Sequence, residues 1–361
     1  MTSSESPING FDFEKHRRIA IERYQKLRPL YADFANIVQS ILKEALTSSG
    51  IKVASIEARA KDVTSFANKA SEPSPVDPSK PKYKDPLNEI TDLAGVRVIT
   101  FFPKTVDEVD RVINAEFVLH GKSDKGDILK EQDRFGYQSV HYLVKLKPTR
   151  TSLPEYARFN GLVAEIQVRT ILQHAWAEIE HDIQYKLLQT IPSSIRRRFI
   201  SLAGLLEIAD HEFQAIQDED ERLKQAARSS VQEGKLEIVE ITSDALKAYL
   251  NRKLGSDGRM TPFSYEWTAR LLRKMGFENF QEIDECIKNY DDDLVSHIVW
   301  GSRQGQLSRF ETQLLAGMGE HYISRHPWAG QEWFVNRRRE ELTRLRQAGI
   351  AIGNYRPTGL F

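Results

Sequence analysis

Residues 162–169 read LVAEIQVR. The alternation is strict. Leu162, Ala164, Ile166 and Val168 fall on one side, and Val163, Glu165, Gln167 and Arg169 on the other, because successive strand side chains point to opposite faces. The first set is an ordinary core face, and the second is polar. At Thr170 the period changes. Leu172, Trp176, Ile179, Ile183 and Leu187 recur at helical spacing to about residue 188, which predicts a helix opened by Thr170 with that stripe as its core seam. A strand running directly into a helix marks an α/β domain.

Working upstream, residues 137–146, YQSVHYLVKL, form a second strand in which Tyr137, Ser139, His141 and Leu143 share a face. Residues 96–102, VRVITFF, form another, rich in branched and aromatic residues. Residues 117–120 read as a short strand, 105–115 as a helix capped by Thr105, and 121–135 as a polar, mobile loop. Residues 53–60 are extended, and Asp62 is the expected N-cap of a helix through Lys69. Five prolines in 71–86 predict a loop. Residues 12–48 carry helical periodicity over one long helix or two stacked ones.

Downstream, Ile191 and Pro192 interrupt the helical pattern, which resumes over about 194–225. Beyond residue 232 the character changes. LEIVEI at 236–241 reads as a strand, but most of the rest is helical. Trp267, Leu271, Leu272, Met275 and Phe277 make one apolar face, and Trp328, Trp333, Phe334 and Tyr355 are expected to pack a small helical core. The run Arg337, Arg338, Arg339, followed by Arg344, Arg346 and Arg356, reads as a solvated face, with an RNA-contacting or self-association surface as the alternative. The expected organisation is therefore an N-terminal helical segment over 1–50, a mixed β-sheet domain of about five strands flanked by helices over 51–230, and a mainly α-helical C-terminal domain over 231–361.

Composition narrows the function classes. Among 361 residues, Lys plus Arg and Asp plus Glu are both 51, so bulk positive charge does not hold this protein on nucleic acid. Hydrophobic residues at 40% and charged residues at 28% suit a soluble globular protein. One cysteine, Cys286, excludes an internal disulfide and a Cys-rich zinc site. The N-terminal stretch has no apolar segment of signal-peptide type, and no run of about 18 apolar residues occurs. The expectation is a cytoplasmic protein without membrane contact.

Three groups of residues bear on chemistry. Arg59, Lys61, Ser65 and Lys69 place cations and a hydroxyl at a helix N-terminus, where free backbone N–H groups also suit polyphosphate; the plainer reading is a solvated basic patch. Asp92, just before the strand carrying Arg97, and Glu165 on another strand are hard oxygen donors that could share a Mg²⁺ ion with phosphate oxygens; the plainer reading is a helix cap and a surface salt bridge. His174, Glu178 and His181, spaced four and three apart, carry a faint metal pattern but flank the apolar seam of their helix. By alternation alone, the Glu165, Gln167, Arg169 face is either solvated or the wall of a site.

Together, RAKDVTSFANK at 59–69, ITDLAGVRV at 90–98, FGYQSVHY at 135–142, AEIQVRT at 164–170 and HAWAEIEHDIQYK at 174–186 resemble the RelA/SpoT nucleotidyltransferase family, the synthetases of the alarmones ppGpp and pppGpp. The resemblance covers about residues 50–190. It implies a nucleotidyltransferase-like fold and ATP-dependent, Mg²⁺-dependent pyrophosphate transfer to the 3′-hydroxyl of GDP or GTP, releasing AMP. It further implies that Asp92 and Glu165 bind metal and that Glu165 activates the attacking hydroxyl. Arg59, Lys61, Ser65, Lys69 and Arg97 would bind ATP. Tyr137 would stack on the acceptor guanine, with His141, Gln167 and Arg169 in the same groove. Where many members carry Lys and Pro before the Gly-Tyr pair, this chain has Glu131, Gln132, Asp133, Arg134 and Phe135; Arg134 or Lys130 would take the place of the phosphate-binding lysine. The hydrolase half and ribosome-binding modules of long members are not recognisable, so the resemblance is to short, single-function synthetases, which assemble into homo-oligomers. Two other readings stand beside it. One is the toxin-type relative that pyrophosphorylates the 3′ end of tRNA and is restrained by an antitoxin or regulatory partner. The other is a nucleotide-sensing protein without activity, against which the two retained acids argue.

Overall fold

The computed structural model describes residues 11–124, 139–186, 192–256 and 261–359. Tyr137, Lys130, Arg134, Leu187 and most of the expected polar loop lie outside them. The chain divides into two compact units, Met1–Ile216 and Gln217–Phe361.

Unit 1 begins with α1 (Phe13–Ser48), a single helix that continues through Pro29. Asp12 caps it by accepting from the Lys15 N–H at 2.9 Å. Its buried stripe, Tyr24, Tyr31, Phe34, Val38, Leu42 and Leu46, follows helical spacing. Next come β1 (Ser55–Ala60), α2 (Val63–Ala70), β2 (Ala94–Thr100), α3 (Pro103–Glu116), β3 (Phe117–Asp124), β4 (Val140–Leu146), β5 (Ala164–Thr170), α4 (Ile171–Lys186) and α5 (Ser193–Glu233), the last crossing the division between units.

The five strands form one mixed sheet in the order β1-β2-β5-β4-β3, with β2 and β5 parallel and every other pairing antiparallel. This is the expected architecture. Alternation decides the two faces. Val96, Val98, Val140, Tyr142, Val144, Ala164, Ile166 and Val168 are buried with the stripe of α1 in one core. The opposite face carries Arg97, His141, Glu165 and Gln167, all partly exposed. Pairing sets Arg97 against Gln167, and Glu165 against Gly95 on one side and Leu143 on the other.

Several local expectations are corrected. Thr105 does not cap α3; Phe102 is the N-cap and Pro103 opens the helix, where its missing N–H and preset φ cost nothing. The strand after α3 runs through Asp124, so the start of the expected loop is sheet. On α4, Ile179 is 56% exposed rather than part of a core seam, while Trp176 is buried. Thr170 does open α4: its hydroxyl accepts from the Gln173 N–H and its own N–H donates to Gln173 Oε1, a reciprocal cap.

Unit 2 is helical. After a 3₁₀ turn at Leu236–Ile238 come α6 (Ser243–Leu254), α7 (Pro262–Lys274), α8 (Phe280–Ile287), α9 (Asp292–Trp300), α10 (Gln306–Met318), α11 (Glu320–Arg325) and α12 (Glu332–Gln347). The turn replaces the expected strand at LEIVEI: alternation there buries Val239 and Ile241 against helices, and no strand of the described residues pairs with it. Tyr249, Leu272, Phe280, Phe310, Leu314 and Phe334 fill the core. A Cβ at Gly317 would lie 2.3 Å from the Cys286 carbonyl oxygen, so glycine is what lets α10 approach α8. Cys286 is free and buried, and burial pushes its thiol up to about 12. Arg338 is half-buried rather than solvated, and Trp328 and Trp333 are exposed rather than core. Of the apolar face on α7, Trp267 is 36% exposed while Leu271, Leu272, Met275 and Phe277 are buried. Among the described residues no helix is long and apolar enough to cross a membrane.

Candidate active site

The turn from β1 into α2 carries the cations, and α1 holds that turn in place. The Tyr24 hydroxyl donates to the Lys61 carbonyl at 2.6 Å, and its ring stacks on Phe66 with centroids 4.2 Å apart. Asp62 caps α2 as expected, accepting from the Ser65 N–H at 3.0 Å. Lys61 at the turn and Lys69 near the end of α2 both reach Asp92 Oδ2, at 2.7 and 3.1 Å. The Asp92 carboxyl is largely buried. Burial works to raise its pKa, but the two ammonium groups outweigh it and hold the pKa below the ordinary value. Asp92 Oδ1 is buried with no hydrogen-bond partner.

Across β2 stands Glu165 on β5. His141 Nδ1 lies 2.8 Å from Glu165 Oε1, and the Gln167 amide donates to Oε2 at 2.9 Å. Ser139 Oγ lies 2.7 Å from His141 Nε2. A hydroxyl, an imidazole and a carboxylate are thus joined in series. Burial tends to raise the Glu165 carboxyl; the His141 and Gln167 contacts overcome it and hold the carboxyl below its usual value, against the nearby charge of Asp92. Both acids are therefore ionised at neutral pH.

Asp92, Glu165, Glu57, Asp62, Gln167, Lys61, Ser65, Arg59 and Arg97 line one cleft of about 200 Å³, with Gly95 at its wall. The side chain of Arg59 is exposed and makes no ion pair among the described residues. Lys69 enters through its bond to Asp92, and His141 through its bond to Glu165. Arg169 is placed differently. It is 3% exposed and pairs with Glu178 of α4 at 3.2 Å, beside Arg97, which reaches the same carboxylate at 3.1 Å. Burial raises the Glu178 carboxyl, but Arg97, Arg169 and His174 pull it below its ordinary value. His174 Nδ1 is 3.6 Å from Glu178. The faint metal pattern on α4 thus resolves, for His174 and Glu178, into a counter-ion arrangement around two arginines.

Sequence reasoning assigns no role to Ser139 or Asp210, and to Glu178 only the faint metal pattern. Ser139 shares the strand face of His141, which was the available signal. Asp210 accepts from the Thr170 hydroxyl at 2.6 Å, a contact spanning 40 residues that no local pattern reveals. Burial raises its carboxyl.

The donor set suits a hard divalent cation. Two ionised carboxylates face one cleft, and one buried carboxylate oxygen has no partner. Asp92 and Glu165 are the residues that would hold Mg²⁺, with phosphate oxygens completing its shell.

The fold and cleft define an α/β protein whose mixed sheet presents carboxylates and cations together in one cleft. The chain belongs to the RelA/SpoT family: the family model described as the region found in RelA / SpoT proteins matches residues 58–190. It is similar to two proteins of Bacillus subtilis (strain 168). The first is the GTP pyrophosphokinase YwaC, 30% identical over 136 residues, covering 38% of this chain and 62% of that protein. The second is the GTP pyrophosphokinase YjbM, 32% identical over 154 residues, covering 41% and 69%. Among solved structures it is similar to the small alarmone synthetase 1 from Bacillus subtilis bound to its product pppGpp, with 24% identity, TM-score 0.44, and coverage of 55% of this chain and 98% of that one. A GTP pyrophosphokinase family protein from Streptococcus pneumoniae matches with 22% identity, TM-score 0.45, and coverage of 56% and 95%.

Proposed function

We propose that this chain transfers the β,γ-pyrophosphoryl group of ATP to the 3′-hydroxyl of GDP or GTP, making ppGpp or pppGpp and releasing AMP. The single observation that carries this reading is the cleft itself: two ionised carboxylates, one with a buried unpartnered oxygen, share it with cations from the β1–α2 turn. The names of the two relatives agree with it.

Lys61 and Lys69 neutralise triphosphate charge, Arg59 reaches it from the cleft wall, and Ser65 brings a hydroxyl to the same cleft. When bound, Mg²⁺ supplies further neutralisation of the phosphate oxygens. Glu165 accepts the proton of the acceptor 3′-hydroxyl as its oxygen bonds to the β-phosphorus. The α–β bridging P–O bond breaks and AMP departs with the electron pair. His141, fixed between Ser139 and Glu165, orients that carboxylate. Tyr137 holds the acceptor base by its flat face, and Arg134, Lys130 and Gln167 complete the acceptor side. Arg97 and Arg169, joined through Glu178, stiffen the wall of the cleft. Positioning and charge neutralisation are what phosphoryl-type transfer chiefly requires.

The test is transfer from ATP labelled at the β or γ phosphate, in Mg²⁺, to GDP, GTP or bulk tRNA offered separately. Label on GDP or GTP, lost in Asp92→Asn and Glu165→Gln, is the expected result. Label on tRNA alone would assign the toxin-type reaction instead, and binding of nucleotide without transfer would assign a sensor.

A further inference from the structure

We propose that unit 2 carries a groove for single-stranded nucleic acid, built on the indoles of Trp267 and Trp328 and the cations Arg270, Arg273 and Lys274. The groove lies between α7 and the 326–331 loop, with Leu271 and Pro327 completing its wall. Its volume of about 660 Å³ falls within the usual range for ligand pockets. No carboxylate lines it.

The aromatic residues of this unit behave in two ways. Tyr249, Phe280, Phe310, Tyr322 and Phe334 are sealed in the core at 1% exposure or less. Trp328 and Trp333 instead leave 42 and 56% of their surface in water. Leaving the largest apolar side chains exposed forgoes burial that a helical unit would otherwise use, and contiguous patches of this kind mark contact surfaces. The three indoles form a stepped series. Trp267 and Trp328 have centroids 5.8 Å apart, and Trp328 and Trp333 5.7 Å. Their planes are tilted by 42° and 49°, and Trp328 also packs against His326 and Phe334 on its inner side, which holds the series in place.

The loop that presents Trp328 is preorganised. The Trp328 N–H donates to His326 Nδ1 at 3.1 Å, and the Gln331 N–H donates to the Trp328 carbonyl at 2.9 Å. His326 is itself buried and stacked on Phe334, with centroids 4.2 Å apart.

Charge selects the ligand. Among the described residues Arg273 and Lys274 make no ion pair, and Arg270 pairs with Glu266 one turn away. A cationic rim without carboxylates repels an ammonium ligand, which would otherwise suit an aromatic cage. An acidic peptide would satisfy the cations but leave the indole faces unused. A mononucleotide would use one indole of the three. A single strand uses the whole series: its bases stack on successive aromatic faces and its phosphates lie along the cations, which is how sequence-tolerant strand binding is built. The reading concerns unit 2 alone and does not depend on the reaction proposed for the sheet cleft.

The experiment is fluorescence anisotropy with the full chain and labelled uridine and thymidine dodecamers, with a duplex of the same length, UMP and poly-glutamate as competitors. Strand binding is expected, with the duplex and UMP competing much less well and a log–log salt slope of roughly −2 for about three phosphate contacts. Trp328→Ala should weaken binding about ten-fold or more, Trp328→Phe should restore most of it, and Arg273→Glu with Lys274→Glu should weaken it and flatten the salt slope. The exposed charge reversals keep the test decisive if Trp328→Ala fails to fold. Absent strand binding, unchanged binding in the charge-reversed and Trp328 variants, UMP competing as well as the strand, or poly-glutamate displacing the strand at equal charge would each overturn the proposal; the last would assign the groove to an acidic protein.

Discussion

Two clusters in this molecule use the same residue types to opposite ends. In unit 2, Glu341 is 4% exposed and accepts from Arg338 at 2.7 Å and Arg337 at 3.2 Å, and Arg338 also faces Glu311 at 3.7 Å. Cations and carboxylates balance there, and the Arg338 guanidinium lies over the rings of Phe334 and Tyr322. In unit 1, Asp92 faces two ammonium groups at once, Arg59 makes no ion pair among the described residues, and both line one open cleft. A buried pair that satisfies itself organises a core. In the cleft cluster the buried Asp92 Oδ1 keeps no hydrogen-bond partner among the described residues, which leaves a group for a ligand to satisfy.

The largest effect that would break this contrast lies in the cleft. Glu165→Gln removes the proposed base while keeping the shape, and the proposed transfer should slow by about 10²–10⁴-fold with the circular dichroism spectrum unchanged. If the rate survives, the Glu165 cluster is as structural as the one in unit 2.

Glu341→Ala should act in the opposite way. It leaves Arg338 largely buried beside one remaining acid, and thermal or urea unfolding should show a loss of about 3 kcal/mol with the transfer rate per folded molecule unchanged.

Next in size is a pH effect. Burial first, and the charge of Arg338 second, depress the His326 imidazole from 6.5 to about 4. The unfolded chain therefore binds more protons than the folded one as pH falls through this range. Stability contributed by neutral His326 is fully present above about pH 6.5 and is lost progressively toward pH 4, by on the order of 2–3 kcal/mol. Urea titrations of wild type and His326→Gln across that interval should show the flatter dependence in the variant.

The smallest effect sharpens the contrast within the site. Ser139→Ala removes one hydrogen bond from His141, and a loss of about 1 kcal/mol corresponds to roughly five-fold in transfer rate. A matching loss in unfolding stability, with no change in rate, would mark Ser139 as a packing residue.

The elements legible in sequence are those whose pattern states their surroundings. The alternation in 162–169 places Ala164, Ile166 and Val168 in the core and leaves Glu165 and Gln167 on the open face. Asp62 reads as a cap because a helix N-terminus needs an acceptor wherever it lies. Elsewhere the pattern is silent about partners. LEIVEI alternates like a strand, yet a strand requires a neighbour to pair with, and helices are what surround it. Three consecutive arginines on a helix point about 100° apart, so Arg337, Arg338 and Arg339 cannot share one environment. Ile179 keeps helical spacing on a part of α4 where nothing in the fold covers it.

What the sequence determined by itself is local: the periods of strand and helix, the caps, and the ordered motifs that mark the family, because these depend on groups a few residues apart. Only the tertiary structure decided that Lys61, Lys69 and Asp92 meet, that Ser139, His141 and Glu165 join in series, that Arg169 is buried under Glu178, and that three tryptophans of the helical unit stay in water. Each of those outcomes depends on which surfaces the strand order and helix packing bring together. Hydrogen bonds and ion pairs act over about 3–4 Å in space and carry no trace of the distance along the chain.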